Sequence, residues 1–285
     1  MALLSASLDA TRSRFRSALS RSDTLRRLVS LTSWTLVSFA LDKGATVMVV
    51  LLLARVLGVE DFGRLTLAQG MVITLQIFVV MGAGPVLGRY IPAMRKEGFR
   101  RAVEIINLCG FVVLGAATAF VIITLALGRS AVLAALDLTS ASPLPGWIMP
   151  WVVLSAGVNL MMTVLLSLER GRALGLVSFV GAAVSIAAIP FLALSFGLAG
   201  AVAGLVAVEA LKLTALFLLY IRLVLAEGAP LLARPRPADL PLLFRFGVPV
   251  FLTSALWAPT MWLAQLVVST RSPSGLVSPT ASWAR

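Results

Sequence analysis

Four charged side chains interrupt stretches of sequence that are otherwise apolar: Asp42 and Lys43 in one, Glu209 and Lys212 in another. If those stretches lie in a bilayer, each charge costs at least ~2.5 kcal/mol on insertion scales, so such groups are there to pair or to act. A carboxylate and an ammonium can neutralise each other between helices, or remain apart and line internal water. Arg55 and Arg89 stand at the ends of two apolar stretches. Guanidinium groups stay charged and grip phosphate oxygens two at a time, so both Arg suit a diphosphate; they equally suit simple snorkelling to the interface. Composition excludes much other chemistry. The chain has no His, which removes His-ligated metal, His proton relays and Ser-His or Cys-His catalysis. Its one Cys, Cys109, lies in an apolar run and reads as a small buried hydrophobe. No metal and no cofactor are expected.

The elements that must position these groups follow from length and hydropathy. Of 285 residues, 59% are hydrophobic and 13% charged, against roughly 45–50% and about 25% in a soluble domain. This composition predicts an all-α polytopic membrane protein. Seven runs reach the ~20 apolar residues a spanning helix needs: 31–57, 65–88, 102–127, 147–168, 173–196, 198–225 and 246–269. They show no strict alternation and are too long for barrel strands. The fifth and sixth meet at Phe196-Gly197-Leu198, which predicts a tight antiparallel hairpin. The pairs Gly84/Gly88, Gly171/Gly175 and Gly200/Gly204 permit close helix contact. The chain thus divides into a basic segment 1–27, six helices over 28–225, a Pro-rich linker 226–245, a seventh helix 246–269 and a tail 270–285.

The 24 basic and 12 acidic residues give a net charge of +12. Their placement explains the excess. Seventeen of the Arg and Lys fall on one side of the predicted spans and five on the other. By the positive-inside rule the N-terminus is cytoplasmic, and no nucleic-acid partner is expected. Segment 1–27 mixes Leu8, Phe15, Leu19 and Leu25 with Arg and Ser, which fits either an amphipathic segment on anionic lipid or a solvated topogenic tail. It lacks the pattern of a cleavable signal peptide.

Depth can be estimated at 1.5 Å per residue. Asp42 lies about 17 Å from the cytoplasmic end of its helix, Lys212 about 14 Å and Glu209 about 18 Å. All four charges share a level near the midplane. Asp42–Lys212 and Lys43–Glu209 are one set of partners; the other is Glu209–Lys212 within one helix at i, i+3, with Asp42 and Lys43 facing water. Gln69, Gln76, Asn107 and Asn159 either line a polar cavity or bond between helices. Trp34, Trp147, Trp151 and Trp257 stand near span ends, where Trp anchors at head groups.

Three segments carry a resemblance. Ala54-Arg55-Val56-Leu57-Gly58 followed by Glu60-Asp61-Phe62-Gly63, then Met81-Gly82-Ala83-Gly84-Pro85 through Arg89-Tyr90, then Phe196-Gly197-Leu198-Ala199-Gly200-Ala201 together resemble the polysaccharide-biosynthesis flippases. These belong to the multidrug, oligosaccharidyl-lipid and polysaccharide exporter superfamily. The matches cover the first six predicted helices in the expected order. Leu242 through Pro249 resembles the start of the family's second lobe. Members have about twelve to fourteen helices, so the resemblance implies one lobe plus one helix of a C-terminally truncated chain. It implies a transporter, not an enzyme, that moves polyprenyl-diphosphate-linked oligosaccharide across the bacterial inner membrane; with most of the second lobe missing, this chain alone is not expected to transport. The pathway's polymerase and glycosyltransferases would be its functional partners. It also puts Arg55 first among substrate contacts, with Lys43 and Arg89 as the other candidate cations. A cation-coupled drug exporter of the same superfamily is an alternative. A membrane glycosyltransferase and a non-transporting scaffold are others, although no extramembrane loop is long enough for a catalytic domain.

Overall fold

The computed structural model describes residues 23–135 and 144–271. The predictions made for the first 22 residues, for 136–143 and for the tail beyond 271 fall outside them. Among the described residues every regular element is helical: α1 (Asp23–Val80), α2 (Ala83–Met94), α3 (Phe99–Ala135), α4 (Leu144–Ser167), α5 (Gly171–Ala226) and α6 (Val248–Arg271). The protein is an all-α polytopic membrane protein. Among the described residues three helices are long and apolar enough to cross a membrane, or four when Phe39–Val80 and Ala83–Glu97, bent by 47°, count as one.

Two helices far exceed one crossing. At 56 residues α5 would reach about 84 Å if straight, against ~30 Å of hydrocarbon. It breaks at Gly197, where φ is +60°, a conformation that glycine adopts without the Cβ penalty. The two limbs then run antiparallel: Gly200 packs on the Leu192 carbonyl, Gly204 on Ile189, and Gly181 under Lys212. The predicted hairpin is present, and Gly200 and Gly204 are contact glycines. Gly88, by contrast, faces open space.

Gly58, with φ +74°, breaks α1 in the same way. Helix resumes immediately, so the second limb starts at Val59 rather than at the expected 65. Glu60 and Asp61 fill its first turn and pair with Arg64 at 2.7 and 3.4 Å. Acidic groups are favourable at a helix N-terminus, so a count of apolar residues alone trims this turn away. The other end of the second limb bends through Met81 and Gly82, both left-handed at φ +47° and +71°, and helix continues through α2 beyond the predicted end at 88.

The outside of the bundle is apolar. Phe39, Leu51, Leu114, Ile122, Phe191 and Leu194 are all exposed, an outward surface suited to lipid rather than water. The inside is packed by Leu53, Leu65, Val86, Leu87, Ile91, Ile105 and Val152. Trp151 belongs to that core. Hydroxyls inside the helices bond back one turn, as Thr46 does to the Asp42 carbonyl at 2.8 Å and Ser185 to that of Gly181. Such bonds satisfy groups that have no water to turn to.

Residues 226–245 are not a free tether: they hold turns at Pro237–Asp239 and Leu240–Leu242 and lie against the lobe, with Ala233 buried. A π-helical turn, Leu243–Gly247, delivers the chain into α6. Gly247 sits backbone to backbone on Gly82, where any Cβ would collide.

Candidate functional site

The first limb of α1 and the second limb of α5 bring two of the four intramembrane charges together. Lys212 Nζ donates to Asp42 Oδ1 at 3.0 Å. The side chains are 16% and 27% exposed, so the pair is largely withdrawn from the surroundings. A chamber of about 10 Å³ adjoins it, with Ser178 and Leu216 among its walls, on the scale of a single water molecule. The Lys212 stem reaches this position by crossing Gly181: a Cβ there would stand 2.8 Å from Lys212 Cε. Glycine at 181 therefore makes the path possible.

Lys43 and Glu209 do not join the contact. Lys43 is exposed and Glu209 half-buried, and among the described residues no ion pair links Lys43 to Glu209 or Glu209 to Lys212. Neighbouring residues on a helix point about 100° apart. Once Asp42 faces Lys212, Lys43 is turned away. Glu209 remains close enough to feel the charges of Lys212 and Asp42.

Arg55 is exposed at the Gly58 end of the first limb of α1. Arg89 is exposed in α2, its guanidinium carbon 4.3 Å from the Phe246 ring centroid. Roughly 30 residues of helix separate the two, about 45 Å of path, so the fold places them at opposite ends and no single phosphate spans them. Arg89, Tyr90 and Gly82 instead receive the chain leading into α6: Tyr90 meets Phe246 edge-on at 5.6 Å, and Phe78 meets Phe251 at 5.7 Å.

Of the four amides, Gln76 bonds the Ser155 carbonyl of α4 at 3.1 Å and also lines a cavity of about 260 Å³ with Asn159 and Ser254. Asn107 donates to the carbonyls of Leu231 and Ala233 at 3.0 and 2.9 Å, which ties the linker to α3. Gln69 is half-buried in the second limb of α1.

A second ionic site was not anticipated. Arg101, at the start of α3, holds Asp239 of the linker through two bonds of 2.7 and 2.9 Å and Glu104 through a third of 2.9 Å. Arg236 reaches the same Glu104 at 3.0 Å. The Asp239 and Glu104 side chains are only 5% and 6% exposed. Counting cations by side treats Arg100, Arg101 and Arg236 as topogenic charge and ignores their acidic neighbours. The spacing Glu97-Arg101-Glu104 was a visible signal, since residues three and four apart share a helix face. Asp239 gave none, being 138 positions away from Arg101.

Neither a curated protein nor a solved structure matches the chain. A family profile does. It covers residues 28–277 and is described as polysaccharide biosynthesis protein, so it includes the Gly58 and Gly197 breaks, the Asp42–Lys212 pair and the docked linker. With its apolar helical bundle and most of its length inside that match, the chain belongs to the polysaccharide biosynthesis protein family.

Proposed function

We propose that this protein flips a polyprenyl-diphosphate-linked oligosaccharide across the bacterial inner membrane, for a surface polymer of O-antigen or capsule type. Family membership over residues 28–277 is the observation that carries this reading. It is transport and not catalysis: glycosyltransferases would build the substrate on one side and a polymerase consume it on the other. The Arg-rich face is cytoplasmic, with the N-terminus on that side and seven crossings in all. The lipid tail stays in the bilayer while the sugar passes through the protein. Arg55, on the opposite side, is the first diphosphate contact, with Lys43 and Arg89 as further cations. The Gln76–Asn159–Ser254 cavity supplies amide and hydroxyl groups of the kind that bond sugar hydroxyls. In alternating access this lobe is one of two walls, and the Asp42–Lys212 pair holds α1 and α5 together as that wall moves.

The test is complementation of a strain that lacks its own flippase by an intact two-lobe homologue, with surface polymer as the readout and membrane abundance of the protein as the control. Arg55→Ala is expected to abolish export at unchanged abundance. Full export by that variant removes Arg55 from the mechanism, and failure of the unmodified intact homologue to restore any polymer counts against the substrate class.

A further inference from the structure

We infer that the α5 hairpin carries a binding site for one anionic phospholipid of the cytoplasmic leaflet. A groove of about 300 Å³ runs between the two limbs, walled by Leu176, Val180, Leu211 and Leu218, with Lys212 on its floor and Arg222 at one end. The opposite face of the same hairpin is packed into the bundle; this one is open.

The charges select the occupant. At the mouth of the hairpin, Arg170 pairs with Glu227 at 3.6 Å. Arg222 and Arg172 are exposed and have no ion pair among the described residues. Arg172 precedes Leu176 by four residues and so lies on the groove's face of its helix. Arg222, which lines the end of the trough, and Arg172, one helical turn before Leu176, supply two guanidinium groups for a phosphate diester with an acyl chain attached.

Length selects it further. From Arg222 to Lys212 is ten residues, about 15 Å, half of the ~30 Å hydrocarbon core. A head group at Arg222 with its chain ending at Lys212 therefore fills one leaflet. That matches a phospholipid better than a soluble anion, which has no use for the trough. With the Arg-rich face cytoplasmic, as proposed above, the site opens on the leaflet richest in anionic lipid.

The position has a consequence for the interior. The Lys212 stem lines both this groove and the chamber of the Asp42–Lys212 pair. A chain in the groove lies against that stem and holds it over Gly181. Lipid binding and the intramembrane ion pair thus stabilise each other.

The experiment is native mass spectrometry of the full chain in detergent with equal phosphatidylglycerol and phosphatidylcholine of identical chains. One phosphatidylglycerol is expected to be retained about tenfold over phosphatidylcholine. The preference should vanish in the Arg172→Ala/Arg222→Ala variant and persist, weakened, in Arg222→Lys. Leu218→Trp, which fills the trough and leaves both Arg in place, should lose the bound lipid; this variant decides the matter if the double variant does not fold. Equal retention of the two lipids by the unmodified chain overturns the inference, as does an unchanged preference in the double variant. Displacement of phosphatidylglycerol by equimolar polyprenyl phosphate overturns it in favour of the carrier lipid.

Discussion

The protein holds two ionic sites made of the same chemical groups but built in opposite ways. Asp42 and Lys212 form one contact between two apolar helices, with Glu209 as a charge close by. Arg101 is shared between Asp239 and Glu104, and Glu104 is shared again with Arg236. The first site stands between apolar helices, with room beside it for about one water molecule. The second stands at a helix end and stitches an irregular segment to the bundle. An isolated pair in an apolar setting is economical in groups but leaves a bare charge when either partner goes. A network spreads each charge over several partners, so its weak point is the residue that alone holds a buried charge. Here that residue is Arg101, which alone among the described residues pairs with Asp239.

This contrast ranks the expected effects. Arg101→Ala strands the nearly buried Asp239, while Glu104 keeps Arg236 and Arg100, and should lower stability by about 3–5 kcal/mol, read as a drop in the melting temperature of the detergent-solubilised protein. Arg236 is 60% exposed, and its substitution by Ala should cost no more than about 1 kcal/mol. If the two variants melt alike, the network is solvated and the contrast with the intramembrane pair disappears.

Lys212→Ala leaves Asp42 without its partner at membrane depth, at a cost of about 2.5–3.5 kcal/mol. Replacing both residues by Leu should recover most of that loss, because an apolar pair has no desolvation cost. Equal destabilisation of the single and double variants would show that the pair is no isolated unit.

Asn107→Ala removes both side-chain bonds to the linker, an expected loss of about 1–3 kcal/mol. Hydrogen exchange should rise locally at 231–233, and a uniform rise across the bundle would instead make Asn107 part of the core. The smallest effect is at Arg89, whose stacking on Phe246 is worth about 0.5–1 kcal/mol. Arg89→Ala should leave the melting temperature nearly unchanged while Phe246→Ala, which also loses the Tyr90 contact, lowers it more.

Much of the fold was legible before any coordinates, and the reason is local. Apolar runs of helical length declare themselves one at a time, and a lone glycine between two of them, as at Gly197, has one geometric outcome. The start of the second limb at Val59 was missed because Glu60 and Asp61 look like loop residues to a count of apolar side chains, although acidic residues suit a helix N-terminus. The docked linker was missed for a different reason. Its Pro residues signal only that helix stops. That Asn107 holds its carbonyls, and Arg101 its Asp239, depends on chain segments more than a hundred residues apart coming together.

For the candidate site the division is similar. By itself the sequence assigned the four charges Asp42, Lys43, Glu209 and Lys212 a common expected depth, because depth along a helix is residue count times rise. The tertiary structure alone decided that Asp42 meets Lys212 while Lys43 stays outside. Partner choice depends on how two helices roll and approach, and that is set by packing such as Lys212 over Gly181, which no spacing within either helix encodes.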